Sequence, residues 1–241
     1  MNLEPWVMIL TLAAVAVSFT VSASAGFGGS LVLVPALALV LGTKEGVALA
    51  ALLLAANNVV KVFAYRKTLP VRNALVVILL VAVGAGVGAR LLVAAPESLV
   101  TIAVIAGFAF GLIAERLDLQ RVLRPAGGPL YALGAGATSG FSGSSGPWKG
   151  MAIRQLDLDR AHFVGAASLV SLAGDATKTV IFTEAALLGS QSFMMALFAV
   201  PLMLVATFSG RRINQTIGER GYTVLFWGVM TGYTARLLFS L

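Results

Sequence analysis

Five residues, Gly26-Phe27-Gly28-Gly29-Ser30, recur as Gly140-Phe141-Ser142-Gly143-Ser144, and both copies lie between long apolar stretches. Further matches follow in the same order. Asn58 and Lys61 align with Asp175 and Lys178, Gly88-Ala89-Arg90 with Ser209-Gly210-Arg211, and Gly107 and Gly111 with Gly228 and Gly232. The offset drifts from 114 to 117 to 121 residues, as short loop insertions would produce. A lone glycine match means little in a chain with 26 glycines, but an ordered series that includes charged residues points to internal duplication. The expectation is two related halves, residues 1–120 and 121–241.

What kind of halves is decided by composition. The chain is 59% hydrophobic and 11% charged, too few charges to clothe a water-soluble surface. It has no cysteine and a single histidine, His162, which excludes disulfides, thiolate clusters and multi-histidine metal centres. No metal or cofactor is therefore expected. The net charge of +7 does not point to nucleic acid, because the basic residues form short clusters between apolar segments. They read as topology signals of a membrane protein. Ala23-Ser24-Ala25 resembles a signal cleavage site, but Met1 to Pro5 holds only Glu4 as a charge, so residues 1–25 are read as mature protein.

Apolar runs fall at 6–25, 28–42, 45–64, 70–92 and 97–115, then at 126–141, 143–153, 160–182, 190–210 and 218–240. A crossing helix needs about 20 apolar residues, and the second run of each half is too short. Tyr65-Arg66-Lys67 with Arg72, the stretch from Arg116 to Arg124, and Arg211-Arg212 with Arg220 are basic and assign to the cytoplasm. Ala94 to Glu97 and Thr183 to Ser192 carry no basic residue and assign to the outside. Between the inside loop near Arg124 and the outside loop near Glu184 the number of crossings must be odd. The expected fold is an all-α integral membrane protein with two inverted-topology repeats. Each holds a re-entrant or broken-helix hairpin plus three transmembrane helices. Whether the first two segments of each half turn back or span stays open.

The run Gly26-Phe27-Gly28-Gly29-Ser30-Leu31-Val32-Leu33-Val34-Pro35 resembles the sulfite exporter TauE/SafE family, and so does its second copy, with Ser142 in place of a glycine and Ser145-Gly146-Pro147-Trp148-Lys149 in place of the apolar run. The resemblance implies a multi-pass transporter of sulfite or organosulfonates in the bacterial inner membrane. It implies a small anionic substrate, with lipid as the other partner and a homodimer left open.

The chemistry such a protein needs can be assigned to residues. An oxyanion inside a membrane needs donors in place of water and compensation for its charge. Helix N-termini supply both. The substrate-binding candidates are accordingly Gly26, Phe27, Gly28, Gly29 and Ser30 at one tip, Gly140, Phe141, Ser142, Gly143, Ser144 and Ser145 at the other, and Asn57, Asn58 and Lys178 on the helices behind them. The bland reading of the glycines is tight turns and close helix packing. Asp175, Lys61, Trp148, Lys149, Arg90 and Arg211 are candidates for coupling or gating. For Lys61, Lys178, Arg90 and Arg211 the competing reading is snorkelling to the interface, and for Trp148 interfacial anchoring. Proton coupling through His162 stays open. Two other functions compete with transport: an anion channel of the same architecture, and an intramembrane enzyme using Ser144 or Ser145 with His162.

Overall fold

The structure is a computed structural model that describes residues 5–25, 29–116, 127–206 and 208–209. All regular structure among the described residues is helical. The helices are α1 (Pro5–Ala25), α2 (Gly29–Leu41), α3 (Thr43–Ala64), α4 (Val71–Ala94) and α5 (Glu97–Arg116), then α6 (Gly128–Ser142), α7 (Gly146–Arg154), α8 (Arg160–Glu184) and α9 (Ser190–Ala206). A short 3₁₀ turn, Arg66–Thr68, joins α3 to α4. Their bounds follow the apolar runs. The run 218–240 lies outside the described residues.

Local chemistry sets the ends. Gly42, with a φ of 95°, turns the chain from α2 into α3, and Glu97 Oε1 accepts the Thr43 N–H at 2.9 Å, tying the starts of α3 and α5 together. Prolines stand in the first turn of α6 and α7, where the missing N–H is not needed. Asp159 caps α8 by accepting the His162 N–H at 3.0 Å. Within the helices many hydroxyls return to the carbonyl four residues back, as Thr20, Ser142, Ser168, Thr177 and Thr183 do. That habit satisfies them where no water is at hand.

The molecule is apolar on its outside as well as inside. On α4, Leu75, Leu79, Val83, Val87 and Leu91 form an exposed stripe with a spacing of four, opposite the buried Val77, Val81, Ala85, Ala89 and Leu92. Phe193, Met194, Leu197 and Phe198 do the same on α9. α3 and α4, at 22 and 24 residues, are long and apolar enough to cross a membrane, spanning roughly 33 and 36 Å at 1.5 Å per residue. α2 and α7, at 13 and 9 residues, are too short to cross it.

The packing centres on α8, which lies against both α3 and α4, and on the seam between α4 and α6. That seam is glycine against backbone. A methyl group on Gly84 or Gly88 would run into the carbonyls of Leu133 or Ala137, and one on Gly136 or Gly140 into those of Val81 or Ala85. Each helix thus contributes a pair of glycines at a spacing of four, and the pairs interlock. The close approach gives dispersion and packing that lipid cannot compete with.

Candidate functional site

A cavity of about 160 Å³ opens where the starts of α2 and α7 meet α3, α6 and α8. Gly29 and Ser30, the first two residues of α2, line it from one side. Gly143 and Ser145, which lead into α7, line it from another, with Lys149 one turn further on. Both helices therefore turn their N-terminal, partly positive ends toward one space. Asn58 and Lys61 of α3 complete one wall, Ser139 of α6 and Ser168, Ser171 and Asp175 of α8 another. Apart from Tyr65, the remaining lining is apolar, including Leu54, Val81, Val170 and Phe208.

Asp175 is the anchor of a buried network. Its Oδ1 lies 2.7 Å from Lys178 Nζ and its Oδ2 accepts a hydrogen bond from Asn58 Nδ2 at 2.9 Å. Lys178, 1% exposed, also donates to Ser139 Oγ at 2.9 Å and more weakly to the Ser139 carbonyl. Three helices are thus joined through one ion pair, and the desolvation of two charges is offset by close geometry and added hydrogen bonds. Lys149 Nζ donates to Ser171 Oγ at 2.8 Å. Lys61 stands within electrostatic reach of Lys149 and Asp175.

The inventory of this lining decides what it can hold. Lysine side chains and the hydroxyls of Ser30, Ser139, Ser145 and Ser171 bring N–H and O–H groups to it, that of Ser168 being spent on the Val164 carbonyl, while Asp175, the one carboxylate that lines the cavity among the described residues, has both oxygens engaged. A ligand that accepts hydrogen bonds and carries negative charge complements such a surface. Among the described residues no three His, Cys, Asp or Glu side chains gather to hold a metal.

The structure sorts the sequence candidates by place. Gly29, Ser30, Gly143, Ser145, Asn58, Lys61, Lys149 and Asp175 line the cavity, and Lys178 joins it through Asp175. Ser144 and Asn57 are buried but are not part of the lining. Gly140, Phe141 and Ser142 sit in the last turn of α6. Gly140 packs against α4 there, and the Ser142 hydroxyl donates to the Thr138 carbonyl at 2.9 Å, so neither faces the cavity. Trp148 stacks on Phe110, ring centroids 5.7 Å apart, and lies beside Tyr131 at 5.9 Å, outside the lining. Arg90 is exposed near the end of α4. Gly26, Phe27, Gly28 and Arg211 lie outside the described residues. His162 is partly exposed, with Nδ1 2.6 Å from Asp159 Oδ2, and does not line the cavity.

Ser139, Ser168 and Ser171 are additions to the sequence candidates. A signal exists on α8, where Ser168, Ser171, Asp175 and Lys178 recur at intervals of three, four and three and so share one helix face. Ser139 has no such mark.

A helical chain whose described helices turn apolar faces outward and gather around a donor-rich cavity belongs to the class of integral membrane proteins that handle a polar solute. The chain is a member of the sulfite exporter TauE/SafE family, whose model matches residues 10–237. It is thus assigned to membrane transport and sulfite export. No curated protein and no solved structure gives a significant match.

Proposed function

We propose that this protein exports small sulfur-containing oxyanions, sulfite or an organosulfonate, across the bacterial inner membrane by alternating access. The substrate binds in the cavity between the starts of α2 and α7. The observation that carries this reading is the donor-rich lining: Asp175 is committed to Lys178 and Asn58, while Lys61, Lys149 and the serine hydroxyls border the space an anion would enter. An inverted pair of repeats is supported by where equivalent residues lie. Asn58 and Asp175 occupy matched positions in the two halves and meet each other, as residues near a two-fold axis do. The two short helices likewise present matched glycines, Gly29 and Gly143, to the same cavity.

The test is counterflow of radiolabelled sulfite in proteoliposomes containing the full chain, with Ser145→Ala and Lys149→Gln beside the wild type. Saturable counterflow that the variants weaken is the expected result. Flux that does not saturate would make the protein a channel. Unaltered sulfite counterflow in both variants would move the substrate site elsewhere. Gly143→Leu is a poorer probe, because Gly143 has a φ of 75° and an added Cβ would press on Val34, so that change tests folding rather than binding.

A further inference from the structure

Resting on that reading of the cavity, we infer that Ser139 is a substrate-binding residue, giving its hydroxyl hydrogen to an oxygen of the bound oxyanion, and that Lys178 is the positioning residue that turns the hydroxyl that way. The first consideration is which hydroxyls the fold has already used. Along the described helices Thr20, Ser142, Ser168, Thr177, Thr179 and Thr183 each donate to the carbonyl four residues back. Such a hydroxyl has no hydrogen left to offer a ligand. Ser168 is therefore a poor donor even though it lines the cavity.

Ser139 is held differently. It stands in the last turn of α6, on the cavity wall, and its Oγ accepts from Lys178 Nζ at 2.9 Å. Lys178 faces Asp175 Oδ1 at 2.7 Å, and a lysine paired with a carboxylate is an ammonium, which donates and cannot accept. The Ser139 hydrogen must then point away from Lys178. Its usual destination in a helix would be the Ala135 carbonyl, but Thr138 Oγ1 already donates to that oxygen at 3.3 Å. The cavity that Ser139 lines is the remaining direction. Lys178 also reaches the Ser139 carbonyl at 3.4 Å, the same carbonyl that accepts the Gly143 N–H at 3.0 Å, so both oxygens of Ser139 are held just before the turn into α7. Lys178 itself is 1% exposed and outside the lining. Of its two side-chain partners, Asp175 repels an oxyanion, which leaves Ser139 as the group through which Lys178 acts. An oxygen that accepts from an ammonium is polarised, and its own O–H becomes a stronger donor.

The experiment is calorimetric titration of the full chain in detergent with sulfite. Ser139→Ala should weaken binding about tenfold or more, as the loss of a hydrogen bond to a charged group does. Ser139→Thr keeps the hydroxyl and should bind sulfite nearly as the wild type does. Ser142→Ala, in the same turn of α6 but with its hydroxyl spent on the Thr138 carbonyl, should leave binding unchanged. Ser139→Cys, of similar shape and a weaker donor, should also lose affinity, and it answers the question if the alanine variant does not fold. Lys178→Met uncovers Asp175 whether or not Ser139 is present, so that shared effect cancels in a double-mutant cycle. Its loss of affinity should be several-fold larger beside Ser139 than in the Ser139→Ala background. Wild-type affinity in the alanine and cysteine variants, with only the thermal midpoint lowered, would make Ser139 a structural partner of Lys178; that result overturns the assignment and leaves the transport site intact. Equal losses from Lys178→Met in the two backgrounds overturn the positioning role of Lys178. Failure of the wild type to bind sulfite overturns the site and this assignment together.

Discussion

Asn58 donates its side-chain amide to Asp175 across 117 residues of sequence, at 2.9 Å, and the other Asp175 oxygen faces Lys178 at 2.7 Å. One carboxylate therefore fastens α3 to α8 and also compensates the most deeply buried cation of the site. Losing it has a different cost from losing its partner.

Asp175→Asn keeps the shape and an acceptor for Asn58, yet removes the carboxylate that Lys61, Lys149 and Lys178 share in the cavity lining. The loss should lie near 3–5 kcal/mol, roughly the usual range for stranding one member of a buried pair. Lys178→Met should cost less, because Lys61 and Lys149 remain within reach of the carboxylate. Thermal unfolding in detergent, with and without saturating sulfite, checks both points. Sulfite should recover more of the midpoint in Asp175→Asn than in Lys178→Met, and the opposite order would mean that Asp175 does not serve the cavity's charge balance.

Two glycines two positions apart on α6 should respond in opposite ways. Gly136 meets the α4 backbone, so Gly136→Ala forces the helices apart at a cost of about 1–3 kcal/mol. Gly134 has nothing within 4 Å of an added Cβ, and Gly134→Ala should stabilise α6 by up to about 1 kcal/mol through helix propensity. Parallel unfolding curves decide it. Equal shifts for the two variants would show that α4 and α6 are not in backbone contact.

His162 and Asp159 sit at the start of α8, away from the cavity lining. Asp159→Ala removes an N-cap and should lower stability by about 1 kcal/mol. His162→Ala should leave the pH profile of sulfite transport where it was. A displaced profile would bring His162 into the transport cycle.

Much of this is legible in the sequence, for identifiable reasons. Apolar runs broken by glycine, proline and charge locate the helices, because in lipid a segment's length and its apolar character are set by the same requirement. Asn58 and Asp175 can be paired by their matched positions in the duplicated series. The α4–α6 seam is written only as a spacing of four between glycines, Gly84 with Gly88 and Gly136 with Gly140, and spacing names a packing face without naming the helix that meets it. Gly140 illustrates the ambiguity, since the same residue belongs to the repeated tip motif and to the packing face, and the structure uses it for packing. Trp148 and Ser139 depend on which side of their helices faces the cavity. A nearly uniform apolar background leaves that side unmarked.

The absence of cysteine from the sequence makes accessibility at the cavity directly measurable. Ser145 lines the cavity just before α7 and is 9% exposed, so Ser145→Cys places a single thiol at the candidate site with no background label. A negatively charged methanethiosulfonate reagent should be drawn in by Lys61 and Lys149 and modify that thiol faster than a positively charged reagent of similar size. Sulfite should slow the reaction as it fills the cavity, and Lys149→Gln in the same background should reduce both the charge preference and the protection. Arg90→Cys, exposed near the end of α4, serves as the comparison, because its modification should be indifferent to sulfite. Protection at both positions would indicate a global conformational response to sulfite, and protection at neither would remove Ser145 from the substrate's path.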